Sequence, residues 1–409
     1  MKSGRRYWDD RSPIARRASW PAWKSAKDPA GNACDVVIVG GGLTGAACAY
    51  AFAAAGHDVV LLEGDRVAGG GTAASAGVLL PALDESFASL DAAHGRRASR
   101  GMWQQARRGV LEFAAVLRKL GIRCDLESTT LITVSRDVKS LAKEYAARRD
   151  AGLGVTKIPA PALARETALE GSAIRTPGTL VFDPVRAALG LASHAAKKGA
   201  RIHERSLVTR IRHLPRGGGV EVKTAAGVIA ARAVIVATGA PGAIVPQLRR
   251  HFVTRDTYLV VTEAMPAAMR KAVGSRASVV MDAAAPPHSL RWLKEDRVLI
   301  AGADQAPAAP RLAGRTLVQR TGQLLYELSL MYPDVSGIQP AYAWSAPLVT
   351  TSDGAPYIGP HRNLPAHLFA LGLGRHGDGL SWLAARSLLR YYEAAPLKED
   401  AVFGFTRHE

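Results

Sequence analysis

The first residues that could do chemistry are Gly40-Gly41-Gly42-Leu43-Thr44-Gly45, which contain the pattern G-x-G-x-x-G. They follow a short β-branched run, Asp35–Val39, and open an Ala-rich helical stretch, 43–55, that Gly56 can end. A strand before and a helix after is the context this motif needs. Gly40 makes the tight turn, Gly42 lets the backbone approach a pyrophosphate, and Gly45 lets helix and strand pack closely. Phosphates would lie on the free N–H groups and positive dipole end of the helix that Leu43 and Thr44 begin. A second buried run, Val59–Leu62, closes in Glu63, placed to accept both hydroxyls of a ribose. Strand, glycines, helix, strand and acid in this order point to a bound dinucleotide. Glu63 speaks against a 2′-phosphate and so against NADP, while NAD and FAD both remain open.

Further candidates fall on two expected strands, 257–262 and 288–293. Tyr258 lies on the first, His288 and Arg291 on the second. Arg291 could grip a carboxylate in a bidentate fork. His288, Trp103 and Trp292 read better as structural residues. No Ser/His/Asp set and no metal-ligand cluster is visible. The three cysteines, Cys34, Cys48 and Cys124, are odd in number and widely spaced. They indicate neither a disulfide framework nor a zinc site, and a reducing cytoplasm suits them best.

The elements that must position these residues come from a chain of 409 residues, enough for two to three domains. With 48% hydrophobic and 22% charged residues it is neither disordered, collagen-like nor a coiled coil. Lys and Arg number 53 against 35 Asp and Glu, a net charge of +18 that favours an anionic partner: nucleic acid, acidic lipid or a polyanionic cofactor. The basic residues are scattered as pairs such as Arg107-Arg108 and Arg249-Arg250, without the continuous block of a nucleic-acid tail. The pair Arg16-Arg17 is not followed by an apolar targeting segment. The longest apolar stretch, near 43–55, is too short to span a bilayer.

Residues 1–32 read as an extended arm on the body. Helices are expected at 96–120, 137–151, 161–168, 184–198, 314–331 and 378–392. Strands are expected at 131–134, 201–212, 234–239, 278–282, 297–302 and 368–373, with a glycine turn at 217–219 leading to the hairpin 220–224 with 228–231. Nucleotide-type strands lie in separated segments, so one sheet must be assembled from distant pieces. The fold class is α/β, with a Rossmann-like domain and a second α+β substrate domain on a mixed sheet. The expected boundaries are an arm at 1–32, a discontinuous nucleotide domain at 33–88, 178–250 and 345–395, a substrate domain at 89–177 and 251–344, and a tail at 396–409.

Four segments are similar to the D-amino-acid-oxidase-type FAD-dependent oxidoreductases, the group that includes glycine and sarcosine oxidases. They are Asp35–Glu63, the small-residue loop Gly69–Pro81, Phe182–Arg186 through Gly239, and Thr351–Pro360 through Leu371–Gly377. The resemblance implies FAD. It also implies oxidation of the C–N bond of a small amine or amino acid, with hydride passing to flavin N5 and electrons onward to O2 or another acceptor. By position, Gly71, Thr72, Ser75 and Gly77 would belong to the loop beside the flavin and its ribityl chain. Val208 would meet the adenine through its backbone, and Gly239 would let the chain pass the dinucleotide. Asp353 and Gly359 would flank the ribityl and ring, and Gly372, Gly374 and Gly377 would form the loop under the pyrimidine edge. Arg375 departs from the small residue usual there. A cation at Arg375 or His376 beneath the N1–C2 edge would favour hydride acceptance. The linking cysteine and histidine of covalent relatives have no counterpart here, so FAD is expected to be non-covalent. A flavin-dependent tRNA-modification enzyme of the same fold and a non-catalytic electron-transfer subunit are the alternative readings.

Overall fold

The computed structural model describes residues 2–13, 17–26, 32–215, 218–274 and 276–407; Arg16 and Gly217, named above, lie outside them. Two sheets carry the molecule. In the eight-stranded sheet the order is Tyr357–His361, Leu364–Leu371, Gly227–Gly239, Ala33–Val39, Val59–Leu62 and Arg201–His203. The last five of these run parallel. The β-branched run at 35–39 is buried on both faces. Val36 and Ile38 join the core beneath the helices, while Val37 and Val39 pack against the meander formed by Val208–His213, Val220–Thr224 and the start of Gly227–Gly239. Burial on both sides is why the run shows no polar alternation. The covering helices Leu43–Ala54, Pro184–Lys197 and Ser381–Tyr392 lie against one another. The first buries Gly45, Ala46, Ala47 and Ala49, small residues that allow close approach.

The ten-stranded sheet runs Lys2–Ser3, Pro340–Thr351, Phe252–Thr262, Arg297–Gln305, Ser289–Leu293, Val279–Asp282, Glu127–Ser135, Ser172–Val181 and Val78–Leu79, with Thr156–Ile158 paired beside Ser172–Val181. The helix Ala313–Met331 covers part of it, enclosing a second core that contains Val260, Ile300, Leu324 and Leu328. The long helix Arg96–Lys119 buries Met102, Ala106, Val110, Phe113 and Leu117, a stripe at helical spacing. Trp103 packs edge-on to Phe87 and beneath Arg148, and Trp292 edge-on to Tyr332, both structural.

Several elements differ from the sequence reading. The described part of the arm is not wholly extended. Lys2–Ser3 adds a strand to the larger sheet, and Tyr7–Arg11 is a helix with Tyr7 and Trp8 buried. The expected strand 201–212 is two strands, Arg201–His203 and Val208–His213. They are separated where Arg205 turns left-handed (φ 50°) and Glu204 is buried to accept the amide of Val67. The hairpin's return strand and the strand at 234–239 are one element, Gly227–Gly239. The helix at 161–168 shrinks to Ala160–Leu163.

Candidate functional site

The glycine turn is built on close backbone contacts. Gly40 has φ 106°, and a β-carbon there would lie 2.7 Å from the Ala237 carbonyl oxygen. At Gly45 it would lie 1.8 Å from the Gly40 carbonyl oxygen. The amide of Gly41 donates to Glu63 Oε2 at 2.7 Å, and that of Asp65 to Oε1 at 2.8 Å. The strand end therefore fixes the Glu63 carboxylate from both sides. Thr72 Oγ1 accepts the amide of Leu43 at 2.8 Å, so Thr72 braces the first turn of the helix. The other first-turn amides have no acceptor within the helix and are available to an anion.

These residues open onto a cavity of about 830 Å³. From the eight-stranded sheet and its loops come Gly40, Gly42, Leu43, Thr44, Glu63, Val208 and Gly239. The segment Gly71–Ser75 contributes Gly71, Thr72 and Ser75, and the loop after Leu364–Leu371 contributes Gly374, Arg375 and Gly377. The larger sheet closes the space with Thr257, Leu259, Ala301, Ala346 and Leu348. The depth of the cavity, its glycine cradle and the fixed acid at Glu63 fit an extended dinucleotide such as FAD. Glu63 would hold the ribose and the helix start the pyrophosphate. Glu63→Ala should weaken FAD binding by about 1–3 kcal/mol, the scale of lost charge-assisted hydrogen bonds. Equilibrium titration of the apoprotein with FAD checks this, and an unchanged affinity would remove Glu63 from the ribose.

Other expected site residues stand elsewhere. Tyr258 is 2% exposed and does not line the cavity; its hydroxyl accepts from Gln305 at 3.0 Å, in the second core. Side chains alternate along a strand, so the cavity receives Thr257 and Leu259 instead. Arg291 does not reach the cavity either. It is 6% exposed, lies under Trp8, and donates through Nη1 to the carbonyls of Ala76 (3.1 Å), Gly77 (2.5 Å) and Phe182 (3.0 Å). Burial pushes its guanidinium down to about 10. Gly77 thus belongs to this brace. Asp353 is held by Arg407 in a two-bond fork at 2.7 and 2.8 Å, pinning the C-terminal segment. Gly359 packs on the Tyr391 ring and Gly372 on Phe252.

Around the last glycine loop the charges are matched. Arg375 donates to Thr257 Oγ1 at 2.9 Å and pairs with Asp304, with the two side chains 8% and 4% exposed. Asp304 reaches it through a bulge. Tyr258 faces Gly302 while Asp256 faces Gln305, and Ala303 is left-handed at φ 54°. Arg375 consequently brings no net positive charge to the cavity, contrary to the expected cation. His376 stands behind the loop, its Nδ1 2.9 Å from Asp84 Oδ1. Burial would raise the Asp84 carboxyl, but the bond from His376 and the charge of Arg375 take it below its ordinary value. Asp378, which does line the cavity, was missed in the sequence. Burial pushes its carboxyl up to about 6, partly offset by the Ser75 hydroxyl that donates to it. An acid between two glycines in a recognised loop was the available signal.

His288 lies 2.7 Å from both Asp282 and Glu327. Burial would lower its imidazole, but the bonds to the two carboxylates raise it from 6.5 to about 9. A raised folded value means stability fully present below pH 6.5 and lost as pH rises through 9. The melting temperature of wild type should fall across this window more steeply than that of His288→Gln, as read by thermal denaturation. Parallel curves would refute the role.

The cradle, the fixed acid and the cavity closed by a second sheet define a dinucleotide-binding protein. The chain belongs to the DAO family of FAD dependent oxidoreductases, whose family model matches residues 35–390. It is 28% identical over 389 residues to glycine oxidase of Geobacillus kaustophilus, covering 91% of this chain and 97% of that one. It is 25% identical over 381 residues to gamma-glutamylputrescine oxidoreductase of Escherichia coli, covering 90% and 85%. The crystal structure of the Geobacillus kaustophilus glycine oxidase superposes with a TM-score of 0.76 at 24% identity, over 92% of this chain and all of that one (100%), and so shares the fold. No helix of the described residues is long and apolar enough to cross a membrane.

Proposed function

We propose that this enzyme oxidises the C–N bond of a small amine or amino acid, with non-covalently bound FAD supplying the hydride acceptor. The observation that carries this reading is the continuation of the cavity beyond the glycine cradle, between Thr257, Leu259, Ala301, Ala346 and Leu348. Walls of this kind exclude water and favour the neutral form of an amine, the form that can lose hydride. The names of the relatives, glycine oxidase and gamma-glutamylputrescine oxidoreductase, support a nitrogen-bearing substrate. Thr257 and Arg375 supply hydrogen-bonding groups at that wall for orienting it. Non-covalent attachment is supported by the cysteines. None lines the cavity, and burial pushes all three thiols up to about 12. Their odd number and wide spacing support a reducing, cytoplasmic setting.

The test is anaerobic mixing of the holoprotein with a panel of amines and amino acids. Bleaching of the flavin's visible absorbance by at least one of them is expected. A flavin that dithionite reduces but no member of the panel does would overturn the reading. Acid precipitation should leave the pellet colourless.

A further inference from the structure

Behind the cofactor chamber lies a second cavity of about 250 Å³, and no residue lines both. The two are joined through the segment that Ser75 and Ala76 contribute to the chamber wall. Trp8 and Arg291, which line the second cavity, donate to the carbonyls of Ser75 and Ala76 at 2.8 and 3.1 Å. Buried polar atoms without a partner are rare, and three of them belong to residues lining this cavity. Arg291 gives its Nη1 to three carbonyls, whereas Nε is buried and neither Nε nor Nη2 has an acceptor among the described residues. Nε and Nη2 form the edge of the guanidinium opposite Nη1, an edge that holds a carboxylate by two parallel bonds. Asp183 is 1% exposed. Its Oδ1 accepts the Arg186 amide at 3.0 Å and caps the helix Pro184–Lys197. Its Oδ2 is buried and accepts nothing, with Arg186 Nε 3.5 Å away. The third atom is Nε of Arg276.

Other charges of the lining are already answered. Asp125 faces Lys294 at 2.8 Å, Glu127 faces Lys294 at 3.6 Å, and Arg11 faces Glu295 at 2.7 Å. Asp183 and Arg291 stand near one another, because Nη1 also holds the carbonyl of Phe182, the preceding residue, yet they do not bond to each other. Burial raises the Asp183 carboxyl and lowers the Arg291 guanidinium, the behaviour of charges that lack a close counter-ion. We propose that this cavity is a second binding site, for a small zwitterion of the amino-acid type, with its carboxylate on the Nε–Nη2 edge of Arg291 and its ammonium on Asp183 Oδ2. Each charge of the ligand completes a group that the chain leaves open, and two such groups of opposite sign select a molecule that carries both. Trp8 and Trp292 supply apolar wall for the carbon skeleton. The space is under a third of the chamber's, too small for a dinucleotide. The proposal does not depend on what the chamber oxidises.

Isothermal titration calorimetry of the holoprotein with three compounds of one skeleton tests the proposal. The compound 2-aminoisobutyrate carries both charges and has no hydrogen on its α-carbon, so the flavin cannot take hydride from it. Pivalate has a methyl in place of the amino group, and tert-butylamine a methyl in place of the carboxylate. Wild type should bind 2-aminoisobutyrate about tenfold or more tighter than either analogue, the scale of one lost charged hydrogen bond. Arg291→Lys keeps a donor for the three carbonyls but loses the fork. Asp183→Asn keeps the capping oxygen but loses the charge. Each should weaken 2-aminoisobutyrate about tenfold or more, at the flavin content of wild type. A wild type that does not bind 2-aminoisobutyrate, or that binds pivalate or tert-butylamine as tightly, would overturn the proposal without recourse to the variants. Binding that both variants retain unchanged would place the compound in the chamber and overturn it as well.

Discussion

Gly45→Ala should yield a protein that carries almost no flavin. A β-carbon at this position would lie 1.8 Å from the carbonyl oxygen of Gly40, and both groups are backbone. No rotamer change relieves the clash. The start of Leu43–Ala54 must move away from the end of Ala33–Val39 until the contact exceeds 3.0 Å. That displacement carries off the first-turn amides and breaks the bond from Leu43 to Thr72. Overpacking of this kind costs about 3 kcal/mol, equivalent to at least a hundredfold loss of FAD affinity. The ratio of visible to ultraviolet absorbance after purification measures it. A wild-type ratio in Gly45→Ala would mean that the cradle does not hold the dinucleotide.

The second large effect concerns Arg291. Its removal leaves the carbonyls of Ala76, Gly77 and Phe182 without their shared donor in a buried place. Arg291→Ala should therefore destabilise the protein by roughly 3–5 kcal/mol, the range for breaking a buried charged network. A substrate-binding arginine would behave differently, because its loss would penalise amino acids far more than simple amines. Since Arg291 does not line the cavity, the ratio of kcat/KM for an amino acid to that for a simple amine should be unchanged. Denaturant melts and the two steady-state measurements separate the cases. Unaltered stability together with selective loss on amino acids would return Arg291 to the substrate.

What was legible in the sequence follows the range of the interactions. The unit from Asp35 to Glu63 could be read almost completely, because its turn, helix and acid are local and each glycine has a steric reason. Along Phe252–Thr262 the strand was legible but its parity was not. Choosing Tyr258 in place of Thr257 is an error of one residue, and one residue turns a side chain to the opposite face. Asp353 was placed by resemblance and Arg291 by its strand and its guanidinium chemistry, yet what they do depends on Arg407 and on three carbonyls far along the chain. The pair between Arg375 and Asp304 was equally out of reach, since it depends on a bulge that re-aims one side chain. Ser172–Val181 and Pro340–Thr351 escaped as strands because each contains proline, which lowers the expectation of a strand without forbidding one where the partner needs no N–H.

The arm that precedes the family segment ties Arg6 to the carbonyl of Gly69 and Trp8 to that of Ser75 at 2.8 Å. It also pairs Lys2–Ser3 with Tyr342 and Ala343, and Tyr342 donates to Asp10, 332 residues distant in the chain. Lys2–Ser3 thus finds its partner strand far along the chain, and the pairing closes a very long loop. Closing a loop of that length costs entropy that the finished larger sheet must offset. The outer brace of the wall segment Gly71–Ser75 thus shares its anchorage with the far edge of the larger sheet, so that loosening this edge would be felt at the cavity.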